Sequence, residues 1–206
     1  VTFLNPQFSA VAECPINPIF LVGAECSGST LFRLMLAQHP AIGVCPGFEN
    51  VLDPLVNKKV WPQTNHYVDQ ISHNWIFRDQ GFSIDRSLTV PRLIDSFLFQ
   101  TMKLRAAEQV VAVAHRNIEM IGKLWGRARY IHIVRDPRDV ARSNLEMGWA
   151  GHIWHGVTQW LEVEQAWDRL KKQLPNSAYV EISLEELSQA PESVLARVCS
   201  FMSLDY

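Results

Sequence analysis

Short apolar runs alternate with longer amphipathic stretches along the chain. The apolar runs predict buried strands, and they lie at residues 19–22, 42–44, 110–114, 130–134 and 178–182. Between them, apolar positions three and four apart predict helices at residues 29–38, 89–104, 118–125, 138–147, 155–174 and 191–202. Strands that alternate with helices are typical of an α/β fold in which helices cover both faces of a central parallel sheet. Because ligands of such sheets lie at the carboxyl ends of the strands, the residues that follow each strand are the first candidates for a site.

Residues 46–86 show no clear period between the second and third predicted strands. The segment contains Pro46, Pro54 and Pro62, together with the large side chains of Trp61 and Trp75. A connection of this length without periodicity is more typical of a functional insertion or a lid than of a plain loop. We therefore expect it to be irregular and to line a binding pocket.

Length and composition predict a single globular domain over residues 1–206, shortened at either end if the natural chain is longer. Hydrophobic residues make up 48% of the chain and charged residues 19%, which excludes an intrinsically disordered protein. The formal net charge of −2 provides no general basic surface for nucleic acid or an anionic membrane, so any anion site must be local. No apolar run reaches the length of a membrane span and no signal peptide is visible, which favours a cytoplasmic location.

The chain has four cysteines, Cys14, Cys26, Cys45 and Cys199. None of them forms a C-x-x-C pair or the spacing of a metal site. We therefore expect free thiols in a reducing compartment and no bound metal.

The loop after the first predicted strand contains the strongest functional signal. It reads G-x-x-x-x-G-S-T, from Gly23 through Ser27 and Gly28 to Ser29 and Thr30. A small-residue loop that enters a helix directs backbone N–H groups and the helix N-terminus at an anion. The pattern differs from that of nucleotide-hydrolysing P-loops because Ser29 stands where they have lysine. The alternative is an ordinary strand–helix turn in which Ser29 caps the helix.

A second signal follows the predicted strand at 130–134. Arg135 comes directly after this strand, and Ser143 lies two helical turns further along the chain. A guanidinium group and a hydroxyl suit a phosphate monoester. For the neighbouring Arg138 and Arg142, a solvated helix face with local ion pairs is the better interpretation.

Together the two segments resemble the 5′-phosphosulfate loop and the 3′-phosphate motif of sulfotransferases that use 3′-phosphoadenosine 5′-phosphosulfate (PAPS). The resemblance is greatest to the bacterial and tyrosylprotein types, and it extends over residues 18–36, 39–42, 128–141, 179–182, 184–187, 191–195 and 201–204. It implies a three-layer, P-loop-like α/β fold and transfer of a sulfuryl group, without metal, to the hydroxyl of a small molecule, a sugar or a tyrosyl residue. A P-loop kinase is less favoured, because Ser29 replaces the lysine and Arg135 stands where a magnesium-binding acid is expected.

The resemblance also implies roles for individual residues. The 5′-phosphosulfate would be held by the loop that starts at Gly23, through the residues Cys26, Ser27, Gly28, Ser29 and Thr30. Arg135 and Ser143 would hold the 3′-phosphate.

One position departs from the family pattern. The family has a basic residue directly before the serine–glycine pair, and this chain has Cys26 there, preceded by Glu25. Sulfuryl transfer needs positive charge near the leaving phosphate, and a thiol does not supply it. Arg33 or Arg116 is a candidate substitute. The alternative is a protein that binds the nucleotide but is catalytically impaired.

Two residues are candidates for the general base that removes the acceptor proton. His115 follows the strand at 110–114, and its ordinary pKa of about 6.5 suits proton transfer near neutral pH. Its distance in sequence from Arg135 is similar to that of the base histidine in cytosolic sulfotransferases. Glu49 lies downstream of His39 and Pro40, where tyrosylprotein-type enzymes have a catalytic glutamate.

Overall fold

A parallel five-stranded sheet forms the centre of the computed structural model, which describes residues 17–206. Its strands are β1 (Ile19–Val22), β2 (Ile42–Cys45), β3 (Gln109–Ala114), β4 (Arg129–Val134) and β5 (Tyr179–Ser183). The order across the sheet is β2-β3-β1-β4-β5. Every neighbouring pair is parallel, as the sequence predicted. Because β1 lies between β3 and β4, the segments that follow these three strands emerge side by side at one edge of the sheet.

Helices cover both faces of the sheet. They are α1 (Ser29–Leu36), α2 (Glu49–Leu52), α3 (Thr64–Ser72), α4 (Trp75–Asp79), α5 (Val90–Arg105), α6 (Ile118–Leu124), α7 (Pro137–Glu146), α8 (Ile153–Lys171), α9 (Leu184–Gln189) and α10 (Pro191–Met202). Short 3₁₀ turns lie at Asp53–Leu55 and Asn176–Ala178. Within residues 17–206, none of these helices combines the length and the apolar character needed to cross a bilayer.

Alternation along the central strand divides the core into two clusters, one on each face of the sheet. Phe20 and Val22 belong to a cluster that also contains side chains of α3, α5 and α8. Ile19 and Leu21 belong to a second cluster, with side chains of α1 and α10. Since β1 is buried on both faces, all four of its residues are apolar, which is why the strand reads as a continuous apolar run.

The prediction that residues 46–86 are irregular was wrong. The segment contains α2, the 3₁₀ turn at Asp53–Leu55, α3 and α4. It packs into the first core cluster, where Leu52, Leu55 and Tyr67 are completely buried. Its helices are only four to nine residues long, so none shows the apolar period that identifies a longer helix.

Candidate functional site

The loop between β1 and α1 is shaped by two glycines that no other residue could replace without strain. A Cβ on Gly23 would lie 2.2 Å from the carbonyl oxygen of Ile133 in β4. A Cβ on Gly28 would lie 2.5 Å from Cδ1 of Leu184, and Gly28 has φ +90°. Gly28 also serves as the N-cap of α1, so Ser29 is the first residue of the helix and not its cap, as one alternative proposed. The absence of side chains at Gly23 and Gly28 therefore lets the loop pack closely against Ile133 and Leu184.

Ser27 places a buried hydroxyl in this loop. The side chain is completely buried, and its Oγ has no hydrogen-bond partner among the described residues. Buried hydroxyls are nearly always hydrogen-bonded, so an unpaired one indicates a group that this structure does not contain. An oxyanion held at the N-terminus of α1 fits this requirement, since it accepts hydrogen bonds from hydroxyls and from backbone N–H groups.

His115 lies beside the loop because β3, which it follows, is the neighbour of β1. Nε2 of His115 is 2.8 Å from Oγ of Ser29, and Nδ1 is 3.4 Å from Oε1 of Glu49. The structure therefore brings both predicted base candidates into one chain of contacts. Glu49 is 5% exposed and lies at the start of α2.

The environment of Glu49 favours its ionised form. Burial acts to raise the pKa of this carboxyl, but the hydrogen bond from His115 and the nearby charges of His115 and Arg116 outweigh it, so the pKa lies below its ordinary value. An ionised carboxylate only accepts hydrogen bonds, so Nδ1 of a neutral His115 carries the proton that faces Glu49. Nε2 is then the basic nitrogen, and Ser29 donates its hydroxyl proton to it.

Arg116 lies next to this chain of contacts and is held by several oxygens. Its Nε and Nη2 donate to the two carboxylate oxygens of Asp53, at 3.0 and 2.7 Å, and Nη2 also donates to Oδ1 of Asn50 at 3.0 Å. The hydrogen bond to Asp53 raises the pKa of Arg116 above its ordinary value. The remaining nitrogen, Nη1, has longer contacts, at 3.6 Å from Glu49 and 4.0 Å from Glu25. Nη1 is therefore the part of the guanidinium directed at the loop.

On the other side of the loop, Arg135 follows β4 as predicted. Its Nη1 donates to the carbonyl oxygen of Cys26 at 2.9 Å. Cys26 itself has φ +65°, and its thiol donates to Oδ1 of the buried Asn144 at 3.4 Å. Ser143 precedes Asn144 in α7, the helix whose Asn144 accepts from the Cys26 thiol.

Not all candidates join this arrangement. Arg33 lies in the second turn of α1, and within residues 17–206 its side chain has no hydrogen bond or ion pair with any of the residues above. Thr30 is exposed in the first turn of α1. The sequence analysis missed Asp53, Asn50 and Asn144, although Asp53 stands four residues after Glu49, a spacing that places two side chains on one helix face.

Comparison with known proteins identifies the family of this chain. A family model described as "Sulfotransferase family" matches residues 18–206. An uncharacterized protein of Aquifex aeolicus (strain VF5) is 24% identical over a match that covers 92% of this chain and 26% of that protein. The chain therefore spans about a quarter of the length of the curated relative it matches.

Three solved structures that are similar in fold to this chain are sulfotransferases of low sequence identity. The sulfotransferase domain of the Synechococcus PCC 7002 olefin synthase is 20% identical, with a TM-score of 0.68 over 93% of this chain and 75% of that one. A sulfotransferase from Alicyclobacillus acidocaldarius is 14% identical, with a TM-score of 0.61 over 92% and 81%. A mouse sulfotransferase complexed with PAP is 15% identical, with a TM-score of 0.55 over 98% and 64%.

Proposed function

Because this chain belongs to the sulfotransferase family, we propose that it transfers a sulfuryl group from PAPS to a hydroxyl acceptor. The observation that carries the proposal is the buried hydroxyl of Ser27, which has no hydrogen-bond partner within residues 17–206 and lies in a loop that is flanked by His115 and Arg135. An anion site with a base on one side and a guanidinium on the other has the groups that this reaction requires.

The residues of the loop fit the anionic part of PAPS. Ser27, Gly28, Ser29 and Thr30 would hold the phosphosulfate with hydroxyl and backbone N–H donors, and Arg135 and Ser143 would hold the 3′-phosphate. When bound, PAPS supplies the sulfuryl group on a phosphate leaving group. The mouse sulfotransferase that shares the fold was crystallised with PAP, the nucleotide without the sulfuryl group, which supports this choice of donor.

His115 would act as the general base. Its Nε2 is the unprotonated nitrogen and is directed at the loop, where the acceptor hydroxyl must approach. Glu49 accepts from Nδ1, which keeps the ring in the tautomer that can take a proton at Nε2 and stabilises the imidazolium that forms. Glu49 would therefore be a positioning residue for His115, and His115 the group that takes the proton.

Arg116 would supply the cation that Cys26 does not provide. Its Nη1 has no contact shorter than 3.6 Å with the nearby carboxylates, Glu49 and Glu25, so it can donate to an anion in the loop. Arg33 is the weaker candidate because, within the part of the chain that the structure describes, its side chain makes no hydrogen bond or ion pair with the other residues of the site. Positive charge at this position stabilises the negative charge that develops on the transferring group and on the leaving phosphate.

A second candidate function is nucleotide binding with impaired catalysis. The observation that favours it is the position of Cys26, whose thiol donates to Asn144 and contributes no positive charge. The carboxylate of Glu25, 4.0 Å from Arg116, also reduces the effect of that guanidinium. In this case the chain would bind PAP through the loop but transfer the sulfuryl group slowly.

The nucleotide part of the proposal is tested by calorimetric titration. We expect micromolar binding of PAP without metal and no comparable binding of ATP with magnesium. Micromolar binding of ATP with magnesium, together with no binding of PAP, would overturn the proposal in favour of a P-loop kinase.

The catalytic part is tested with ³⁵S-labelled PAPS and a panel of phenols, alcohols and sugars. We expect label transfer that falls by a factor of about 100 or more in His115→Gln, since general base catalysis contributes factors of this size. His66→Gln, which changes an exposed histidine of α3, is the matched control and should transfer label like the wild type. PAP binding without transfer to any acceptor would support the impaired alternative.

A further inference from the structure

The carboxylate of Asp53 accepts several hydrogen bonds from the segment that follows β3, although no motif in the sequence identifies Asp53 as a site residue. It begins the 3₁₀ turn that follows α2 directly, four residues after Glu49. Its Oδ1 accepts from Nε of Arg116 at 3.0 Å and from Nδ2 of Asn117 at 2.7 Å. Its Oδ2 accepts from Nη2 of Arg116 at 2.7 Å. One carboxylate therefore binds the two residues that follow His115 in the chain.

These contacts join the turn that follows β3 to the segment that follows α2. Asn117 has φ +60°, a left-handed conformation that is unfavourable for most residues. The turn His115–Asn117 carries the base and the guanidinium, and it connects β3 to α6. Asp53 joins this turn to α2, the helix that carries Glu49. The position of α2 relative to the turn His115–Asn117 sets the distance between Glu49 and His115. It also sets the direction of Nη1 of Arg116.

We propose that Asp53 is a positioning residue for sulfuryl transfer, which holds Arg116 with Nη1 directed at the phosphosulfate loop and keeps His115 in contact with Glu49. The proposal rests on the proposed function of the site and adds a residue to it. Asp53 itself is not directed at the reacting groups, since both of its oxygens are used by Arg116 and Asn117.

The ion pair contributes to positioning more than to stability. The side chains of Arg116 and Asp53 are 44% and 37% exposed, and ion pairs at this exposure contribute little to the free energy of unfolding. The two parallel N–H···O bonds nevertheless fix the plane of the guanidinium. An asparagine at this position has the same shape but replaces one of the two accepting oxygens with an NH2 donor, so only one of the two parallel hydrogen bonds can form and the plane of the guanidinium is no longer fixed.

The test compares Asp53→Asn with the matched control Asp69→Asn. Asp69 also pairs with an arginine, Arg86, at 3.4 Å on the surface, away from the loop. We expect kcat for ³⁵S transfer to fall by a factor of about 10 to 100 in Asp53→Asn, since misplacement of catalytic groups by about 1 Å has effects of this order. The Kd for PAP should change by a smaller factor than kcat, because the contacts from the loop and Arg135 are untouched and the charge that Arg116 stabilises is greatest in the transition state. Asp53→Glu, which restores the carboxylate, should recover part of kcat.

A spectroscopic measurement tests the same inference without activity. The imidazole ¹⁵N resonances of His115, assigned with His115→Gln, report on the proton at Nδ1. In Asp53→Asn we expect them to shift towards the values of an imidazole free in solution, and in Asp69→Asn to remain unchanged. Unchanged His115 resonances with kcat equal to that of Asp69→Asn would overturn the inference.

A purely structural role would give a different result. If Asp53→Asn weakened PAP binding and lowered the melting temperature in parallel with kcat, Asp53 would support the fold and not the geometry of the site, and the inference would be wrong. If the wild type neither bound PAP nor transferred label, the proposed function would fail on its own. The resonances of His115 would then still decide whether Asp53 positions the turn.

Discussion

The hydroxyl of Ser29 lies 2.8 Å from Nε2 of His115, although the two residues are 86 positions apart in the chain. The contact joins the first residue of α1, at the end of the anion-binding loop, to the residue that follows β3. It means that the basic nitrogen of His115 and the loop that would hold the sulfuryl donor share a hydroxyl group. A group that binds in the loop and accepts from Ser29 would therefore release Nε2 for the acceptor.

Removal of the Ser29 hydroxyl should weaken the binding of the nucleotide in the loop. In Ser29→Ala we expect weaker binding of PAP, by a factor of about 5 to 10, because one hydrogen bond to a charged group is lost. Ser29→Thr keeps a hydroxyl and serves as the control. Calorimetric titration of both variants provides the comparison, and equal affinity for PAP in Ser29→Ala and the wild type would argue against a role for this side chain in the loop.

Gly28 should be intolerant of any side chain. Gly28→Ala combines a left-handed φ with a Cβ that would lie 2.5 Å from Cδ1 of Leu184, so we expect a loss of about 2 to 4 kcal/mol in the free energy of unfolding. Gly81→Ala is the matched control, since Gly81 has φ +66° with nothing within 4 Å of the added Cβ. The free energy of unfolding of Gly81→Ala should fall by only about 1 kcal/mol, because this variant has the unfavourable backbone conformation but no steric clash.

The free energy of unfolding can also separate the steric clash with Leu184 from the strain of the left-handed backbone at position 28. In the double variant Gly28→Ala with Leu184→Ala, the side chain that collides is shortened. Urea unfolding should then give a loss smaller than the sum of the two single losses. Strict additivity would mean that the packing of Leu184 against the loop does not limit position 28.

The two candidate functions differ in the effect of a basic residue at position 26. If Arg116 supplies the cation, Arg116→Gln should lower label transfer by a factor of about 100, and the addition of Cys26→Arg to that variant should restore about tenfold. Cys26→Ser in the same background is the neutral control. If Cys26→Arg instead accelerates the otherwise wild-type protein by about 100-fold, the site is impaired and Arg116 does not compensate.

Thiol labelling should detect the nucleotide at Cys26. This residue is half-buried, whereas Cys45 is buried, and burial raises the pKa of the Cys45 thiol to about 12. Only the thiolate reacts with alkylating reagents, so Cys45 should remain unmodified in the folded protein. PAP should slow the labelling of Cys26, measured by peptide mass spectrometry, and leave Cys45 unlabelled. Labelling of Cys26 at the same rate with and without saturating PAP would place the nucleotide elsewhere.

The ionised Glu49 should make stability depend on pH in the acid range. Its folded-state pKa is lowered, so its contribution is fully present above the unfolded pKa of about 4.3 and is lost as the pH falls through the folded pKa. Glu49→Gln should therefore be less stable than the wild type by about 1 to 2 kcal/mol at pH 7, with a smaller difference at pH 3. Glu119→Gln, which changes a partly exposed carboxylate paired with Arg169, is the control, and urea unfolding at the two pH values measures both. A difference that is the same at both pH values would mean that the charge of Glu49 is not involved.

Much of the fold followed from local patterns. The five strands and the long helices could be predicted because both faces of the sheet are covered, which makes β1 a continuous apolar run and leaves the other central strands, β3 and β4, mostly apolar. The segment 46–86 could not, since α2, α3 and α4 owe their helical form to packing against the core more than to their own period. Tyr67, completely buried and bonded through its hydroxyl to the carbonyl of Val51, illustrates this packing.

For the site, the sequence by itself determined which residues follow the strands: the loop at Gly23–Thr30, His115 and Arg135. It also showed that Cys26 stands where the family has a basic residue, because the residue at a motif position can be read directly from the sequence. Only the tertiary structure decided that Ser29, His115 and Glu49 form one chain of contacts and that Asp53 holds Arg116 beside them. Those contacts join residues 63 to 86 positions apart. They depend on the strand order, which places β3 beside β1, and no local pattern of apolar and polar residues records that order.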